Sequence, residues 1–89
     1  MTAWSLETAK PFDQALAKLD RQDARRIVGY LLDAVTSGDP RTRGSALTAN
    51  RTGYWRYRVG DYRVIVLIED HRMTVVALEA GHRTKIYPD

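Results

Sequence analysis

The hydrophobic period of this chain changes from 3.6 to 2 near residue 53, and that change limits its fold more than any other feature. Upstream, Ala24, Ile27, Val28, Leu31, Leu32 and Val35 recur at about 3.6 residues per turn, the signature of one helix face. Downstream, Tyr54 to Val59 and Tyr62 to Ile68 alternate with period 2, and Gly60-Asp61 between them is a tight turn. Helices followed by a hairpin require helices packed on a sheet, which places the chain in the α+β class.

The remaining elements follow from local signals. Residues 2 to 6 alternate weakly and predict a first strand with Trp4 and Leu6 on one face. Thr8 is expected to cap a first helix, with Pro11 and Asp13 in or near its first turn, Phe12, Ala15, Leu16 and Leu19 at helical spacing, and an end near Asp20. The second helix should run from about Arg21–Asp23 to Ser37, stopped by Gly38 and Pro40. Residues 38 to 53 form a long connection with a short turn at Ala46 to Leu47. Met73 to Ala80 is a third period-2 strand, which Gly81 breaks. The expected fold is an N-terminal strand, a helical hairpin and a three-strand antiparallel meander, giving a four-stranded sheet with helices on one face. At 89 residues, the whole chain (1–89) reads as one domain.

Composition narrows the function. Zero cysteines exclude disulfides, thiolate catalysis and Cys-type zinc sites. His71 and His82 are the only imidazoles, so no metal site and no cofactor is expected. No stretch approaches the roughly 20 apolar residues of a membrane span, and Met1 to Leu6 leads into no apolar run, so a cytoplasmic protein is expected.

The net charge is only +3, but it is unevenly placed. Residues 1–40 and 69–89 each carry a net −1, whereas residues 41–68 carry six arginines against Asp61 alone. Arginine binds phosphate bidentately and stacks on bases, so a phosphate-rich partner fits as well as a solvated arginine-rich loop and strand pair. Alternation puts Trp55, Tyr57 and Val59 on one face of their strand and Arg56 and Arg58 on the other. Arg63, just after the turn, joins them if the register allows. Three such groups on an open face would hold a phosphate or a developing negative charge. Arginine cannot act as a base, since its pKa lies above about 12. His82 after the third strand is the remaining titratable group, although a lone turn histidine is more often a plain surface residue.

The run Trp55-Arg56-Tyr57-Arg58-Val59-Gly60-Asp61-Tyr62-Arg63-Val64-Ile65, with Ala80-Gly81-His82-Arg83 and Tyr87 downstream, resembles the RelE branch of the RelE/ParE toxin superfamily. The resemblance covers nearly the whole chain, the helical half in pattern only. It implies the toxin of a type II toxin–antitoxin system: a metal-independent, ribosome-dependent endoribonuclease. Such a toxin cuts mRNA in the ribosomal A site through attack of the substrate 2′-hydroxyl, leaving a 2′,3′-cyclic phosphate. Carried over residue by residue, Arg56 and Arg58 match the family's paired basic residues. Arg63 matches the arginine opening the next strand, Arg83 the arginine after the last strand, and Tyr87 the tyrosine that orients or stacks on substrate. His82 is the candidate base, because arginines stand where some relatives have lysines. Arg51 and Lys85 join Arg56, Arg58 and Arg63 as expected RNA contacts. The implied partners are a RelB-like antitoxin, forming a hetero-oligomer, together with the ribosome and mRNA. A ParE-like gyrase inhibitor or a non-catalytic basic binding module are the alternatives on the same fold.

Overall fold

A computed structural model describes residues 4–47 and 53–82 of the chain. Its elements are β1 (Ser5–Thr8), α1 (Lys10–Ala17), α2 (Arg21–Thr36), β2 (Ser45–Ala46), β3 (Tyr54–Val59), β4 (Tyr62–Glu69) and β5 (Thr74–His82). They build an α+β fold with a five-stranded sheet in the order β1-β5-β4-β3-β2. Only β1 runs parallel to its neighbour, β5; the other pairs are antiparallel. Among the described residues no helix is long and apolar enough to cross a membrane.

The core is what the two periods demand. Phe12 of α1 and Ile27, Leu31, Ala34 and Val35 of α2 pack onto Tyr57, Val59, Val64, Val66, Ile68, Val75 and Ala77 of the sheet. Leu6 of β1 and Trp4 just before it pack against the same cluster, so both lie on the core side as expected. The helical stripe is narrower than its spacing implies. Val28 and Leu32 are 37% and 48% exposed, because they lie on the flank of α2 that turns away from the sheet.

Several boundaries differ from the sequence expectation. The first strand lies at residues 5–8 and takes in Thr8, which pairs with Ala77 instead of capping α1. The cap position falls on Ala9, whose side chain makes no capping bond and whose N–H donates to the Ala77 carbonyl at 2.8 Å. The parallel pairing thus continues to the first turn of the helix. The sheet has five strands, not four, because Ser45–Ala46 pairs with Arg56 and Trp55 where a turn was expected. Gly81 does not end the last strand: it pairs with Arg63, and β5 runs on to His82. With no side chain to place beside Arg63, a glycine continues the ladder at no steric cost.

Two glycines are required by backbone geometry. Gly60 opens the two-residue turn between β3 and β4 with φ +60°, a value that L side chains adopt reluctantly. Gly44 has φ +75° and lets the connection press on β3, since a Cβ there would sit 2.2 Å from the Arg56 carbonyl oxygen. The connection is held by two side chains of β3. Trp55 Nε1 donates to the Arg43 carbonyl at 2.6 Å, and the buried Tyr57 hydroxyl donates to the Pro40 carbonyl at 2.8 Å. Burial pushes the Tyr57 phenol up to about 12, so it stays a donor. Gly44→Ala should cost about 2–5 kcal/mol, from the left-handed φ and the overpacking together. Thermal unfolding checks this: for a chain of this size the midpoint should drop by roughly 10 °C or more.

Candidate functional site

The alternation of β3 resolves as its residue types dictate. Tyr57 and Val59 are buried under the helices, and Arg56 and Arg58 face the opposite side. The register of the hairpin then decides the position of Arg63. Arg58 pairs directly with Arg63, and Arg56 with Ile65. Side chains paired this way have Cβ atoms about 4.5–5.5 Å apart, so Arg58 and Arg63 stand side by side. Arg58 is exposed, whereas Arg63 is only 8% exposed. A hollow of about 80 Å³ opens between Arg58, Gly60, Tyr62 and Arg63. Arg56 lies one step further along the same face and donates to Ser45 Oγ at 3.0 Å. Burial, and after it the neighbouring charges of Arg63 and Arg58, lowers the pKa of Arg56, which nonetheless remains a cation.

Three like charges on adjacent strands work against folding, because like charges directly opposite destabilise a sheet pair. The other arginines of the basic stretch that the structure describes have structural work. Arg41 grips Asp70 with both terminal nitrogens at 2.9 and 2.7 Å, which holds the Asp70 carboxyl below the usual carboxylate range. Arg43 lies over the Tyr30 ring, 5.4 Å from its centroid.

The remaining expected site residues are placed as follows. His82 pairs with Tyr62, whose ring packs against the core and whose hydroxyl donates to Asp23 of α2 at 3.0 Å. His82 meets that ring edge-on at 6.0 Å. The register therefore turns His82 toward the helix side of the sheet, away from the three arginines, because odd and even positions of a strand face opposite ways. It is not brought into their cluster. His71 sits in the exposed turn Asp70–Arg72. Arg51, Arg83, Lys85 and Tyr87 lie outside the described residues. Among the described residues, no group of three or more His, Cys, Asp or Glu is placed to hold a metal ion.

One residue of the face was missed by sequence reasoning. Val75 and Ala77 point into the core, and strict alternation would send Glu79 after them. A bulge intervenes: Val66 pairs with Ala77 but Ile65 pairs with Glu79, leaving Leu78 as an extra residue. The bulge puts Ala80 on the core side and Glu79, exposed, on the arginine face. Glu79 is diagonal to Arg63, about 7–8 Å away. Glu69, another acid on this face, lies at the far end of β4 and is engaged with Arg72 at 2.7 Å.

Comparison with known proteins follows the same lines. The family described as the ParE toxin of type II toxin–antitoxin systems, parDE, matches residues 6–87. The chain belongs to the RelE/ParE toxin superfamily. Toxin RelG of Mycobacterium tuberculosis is 30% identical over 84 residues, covering 86% of this chain and 97% of RelG. In the M. tuberculosis RelBE2 toxin–antitoxin complex, one chain superposes with a TM-score of 0.81 at 24% identity, covering 92% of this chain and 100% of that one. The RelE–RelB complex of Pyrococcus horikoshii gives a TM-score of 0.74 at 23% identity, covering 94% and 99% of the two chains. The superfamily thus joins both names: the family match carries ParE, the M. tuberculosis relative is RelG, and the P. horikoshii toxin is RelE.

Proposed function

We infer that this toxin is an endoribonuclease that cuts mRNA in the ribosomal A site without a cofactor, and that residues 1–89 act as one toxin domain in the cytoplasm. The observation that supports this is the register pairing of Arg58 with Arg63, with Arg56 beside them, on a face the helices leave open. The reaction needs little else from the protein. The substrate 2′-oxygen attacks the adjacent phosphorus, the bond to the 5′-oxygen breaks, and a 2′,3′-cyclic phosphate and a 5′-hydroxyl remain. The phosphorane between these states carries extra negative charge, which pre-placed guanidinium groups stabilise most where charge develops. Arg83 and Tyr87 are assigned by resemblance, Arg83 to the charge of the leaving oxygen and Tyr87 to stacking on substrate. Arg51 and Lys85 add backbone contacts.

The proton of the 2′-hydroxyl needs an acceptor on the same face. His82 faces the other way, and Glu79 fills the role in position and chemistry. A RelB-like antitoxin is the expected partner, since relatives occur in complexes with RelB. A segment of such a partner that bears carboxylates would compete with RNA for the same arginines.

The test is primer extension on a reporter mRNA in a purified translation system, with and without ribosomes, together with analysis of the product ends. Cuts that need ribosomes and leave cyclic phosphates are expected. Cuts in free RNA as well would make the toxin a general ribonuclease. The second reading, inhibition of gyrase, draws on the ParE family match. Growth arrest with an SOS response and uncut mRNA would establish it.

A further inference from the structure

Arg58 borders more than the hollow it shares with Arg63. On its other side lies a larger groove of about 570 Å³ between the edge of β3 and helix α2, walled by Arg26, Gly29, Tyr30, Asp33, Arg58 and Gly60. The four helix residues fall at spacings of three, four and seven, so they form one stripe of α2 turned toward the sheet edge. The groove exists because β2 is only two residues long and pairs with Arg56 and Trp55, leaving the β3 edge beyond them uncovered. Asp23, one turn before Arg26, receives the Tyr62 hydroxyl and fixes this end of α2 to the hairpin. Arg26 is thereby laid on the turn: a Cβ at Gly60 would stand 3.0–3.3 Å from its guanidinium. A helix arginine and a strand arginine therefore flank a glycine turn, at the rim of the face already described.

We propose that this groove is a second nucleotide subsite, in which Arg26 and Arg58 bind the phosphate next to the scissile one and the residue beyond it lies along Gly29 and Tyr30. The inference rests on the ribonuclease reading and extends it along the RNA strand. Arg58 is common to both hollows, so a strand held there passes from one to the other without leaving a cation. Arg26 is exposed and presents a fork suited to phosphate. Gly29 leaves room, with no atom beyond its own helix turn and chain neighbours within 4 Å of where its Cβ would be. Asp33 closes the far end. It repels phosphate and accepts from a 2′-hydroxyl or an exocyclic amine, so the groove has a phosphate end and a sugar or base end. The same carboxylate disfavours an acidic peptide, which would place negative charge along the full length.

The experiment is titration of the full chain with a fluorescein-labelled single-stranded RNA oligomer across a range of salt. Four variants are compared: Arg26→Ala, Arg26→Lys, Arg25→Ala and Arg58→Ala. Arg25 is exposed on the same helix outside the groove and serves as the control for net charge. Arg26→Ala should weaken binding about 3- to 10-fold at low salt and reduce the slope of log K against log salt by about 0.7, one phosphate on a single strand. Arg26→Lys should restore the slope, and Arg25→Ala should leave it unchanged. An Arg26→Ala protein that melts normally and binds like the parent overturns the subsite. If Arg58→Ala also binds like the parent, or the parent binds no RNA, the subsite falls, whereas the ribonuclease reading falls only if primer extension with ribosomes shows no cuts. Poly-glutamate of equal charge, bound as tightly and with the same dependence on Arg26, would make the groove a peptide site and overturn the proposal.

Discussion

Glutamine in place of Glu79 should slow RNA cleavage by about 10²–10⁴-fold, the usual contribution of a positioned general base. The exchange keeps the shape of the side chain but replaces the basic carboxylate with an amide that does not take up a proton. Glu79 is exposed, so folding should be unaffected. RNA affinity should hold or improve, because a negative charge leaves a face that binds phosphate. Single-turnover cleavage and oligomer binding, measured on the same preparation, separate the two quantities. A slow enzyme with intact affinity assigns proton transfer to Glu79, and Glu79→Asp should then recover part of the rate. An unchanged rate places the base elsewhere.

Arg58→Ala should lower both quantities: cleavage by about 10²–10³-fold, as for loss of one donor to a developing oxyanion, and RNA affinity with it. The informative companion is stability. Arg58 stands directly across from Arg63, and both depress the pKa of Arg56. Removing Arg58 relieves its repulsion of Arg56 and Arg63, so lowering the salt should shift the melting temperature of the variant upward relative to the parent. A variant that is inactive and equally or more stable marks Arg58 as kept for function against the interest of the fold. A large loss of stability would make it a structural residue.

Much of this was legible in the sequence, and the exceptions share a cause. Period 3.6 found α2 almost to the residue, and period 2 with Gly60-Asp61 found β3 and β4, because each element buries a continuous face. The convergence of Arg56, Arg58 and Arg63 needed only alternation and a two-residue turn, both local. What was missed depends on pairing between distant segments. Thr8 looks like a cap until β5 takes its backbone, and Ser45–Ala46 looks like a turn until β3 offers an edge. His82 and Glu79 exchange faces because one extra residue, Leu78, shifts the facing of β5. A bulge has no composition of its own, so no pattern within Thr74–His82 announces it. The meeting of Arg26 with Gly60 is purely tertiary, so no local pattern announces it.

The position of β5 also governs when this molecule can exist at all during its synthesis. Among the described residues it is the last strand in the chain, yet it lies inside the sheet, and β1 is joined to the other described strands only through it. Ser5 must wait for Thr74 before it has a partner. A nascent chain that has reached Met73 carries all three clustered arginines but lacks Glu79 and half the pairing of β4. Long-range pairing of this kind forms late, after the entropy of closing the intervening chain has been overcome. The growing polypeptide is thus an incomplete sheet until β5 is made, and Glu79 joins the three arginines only with it.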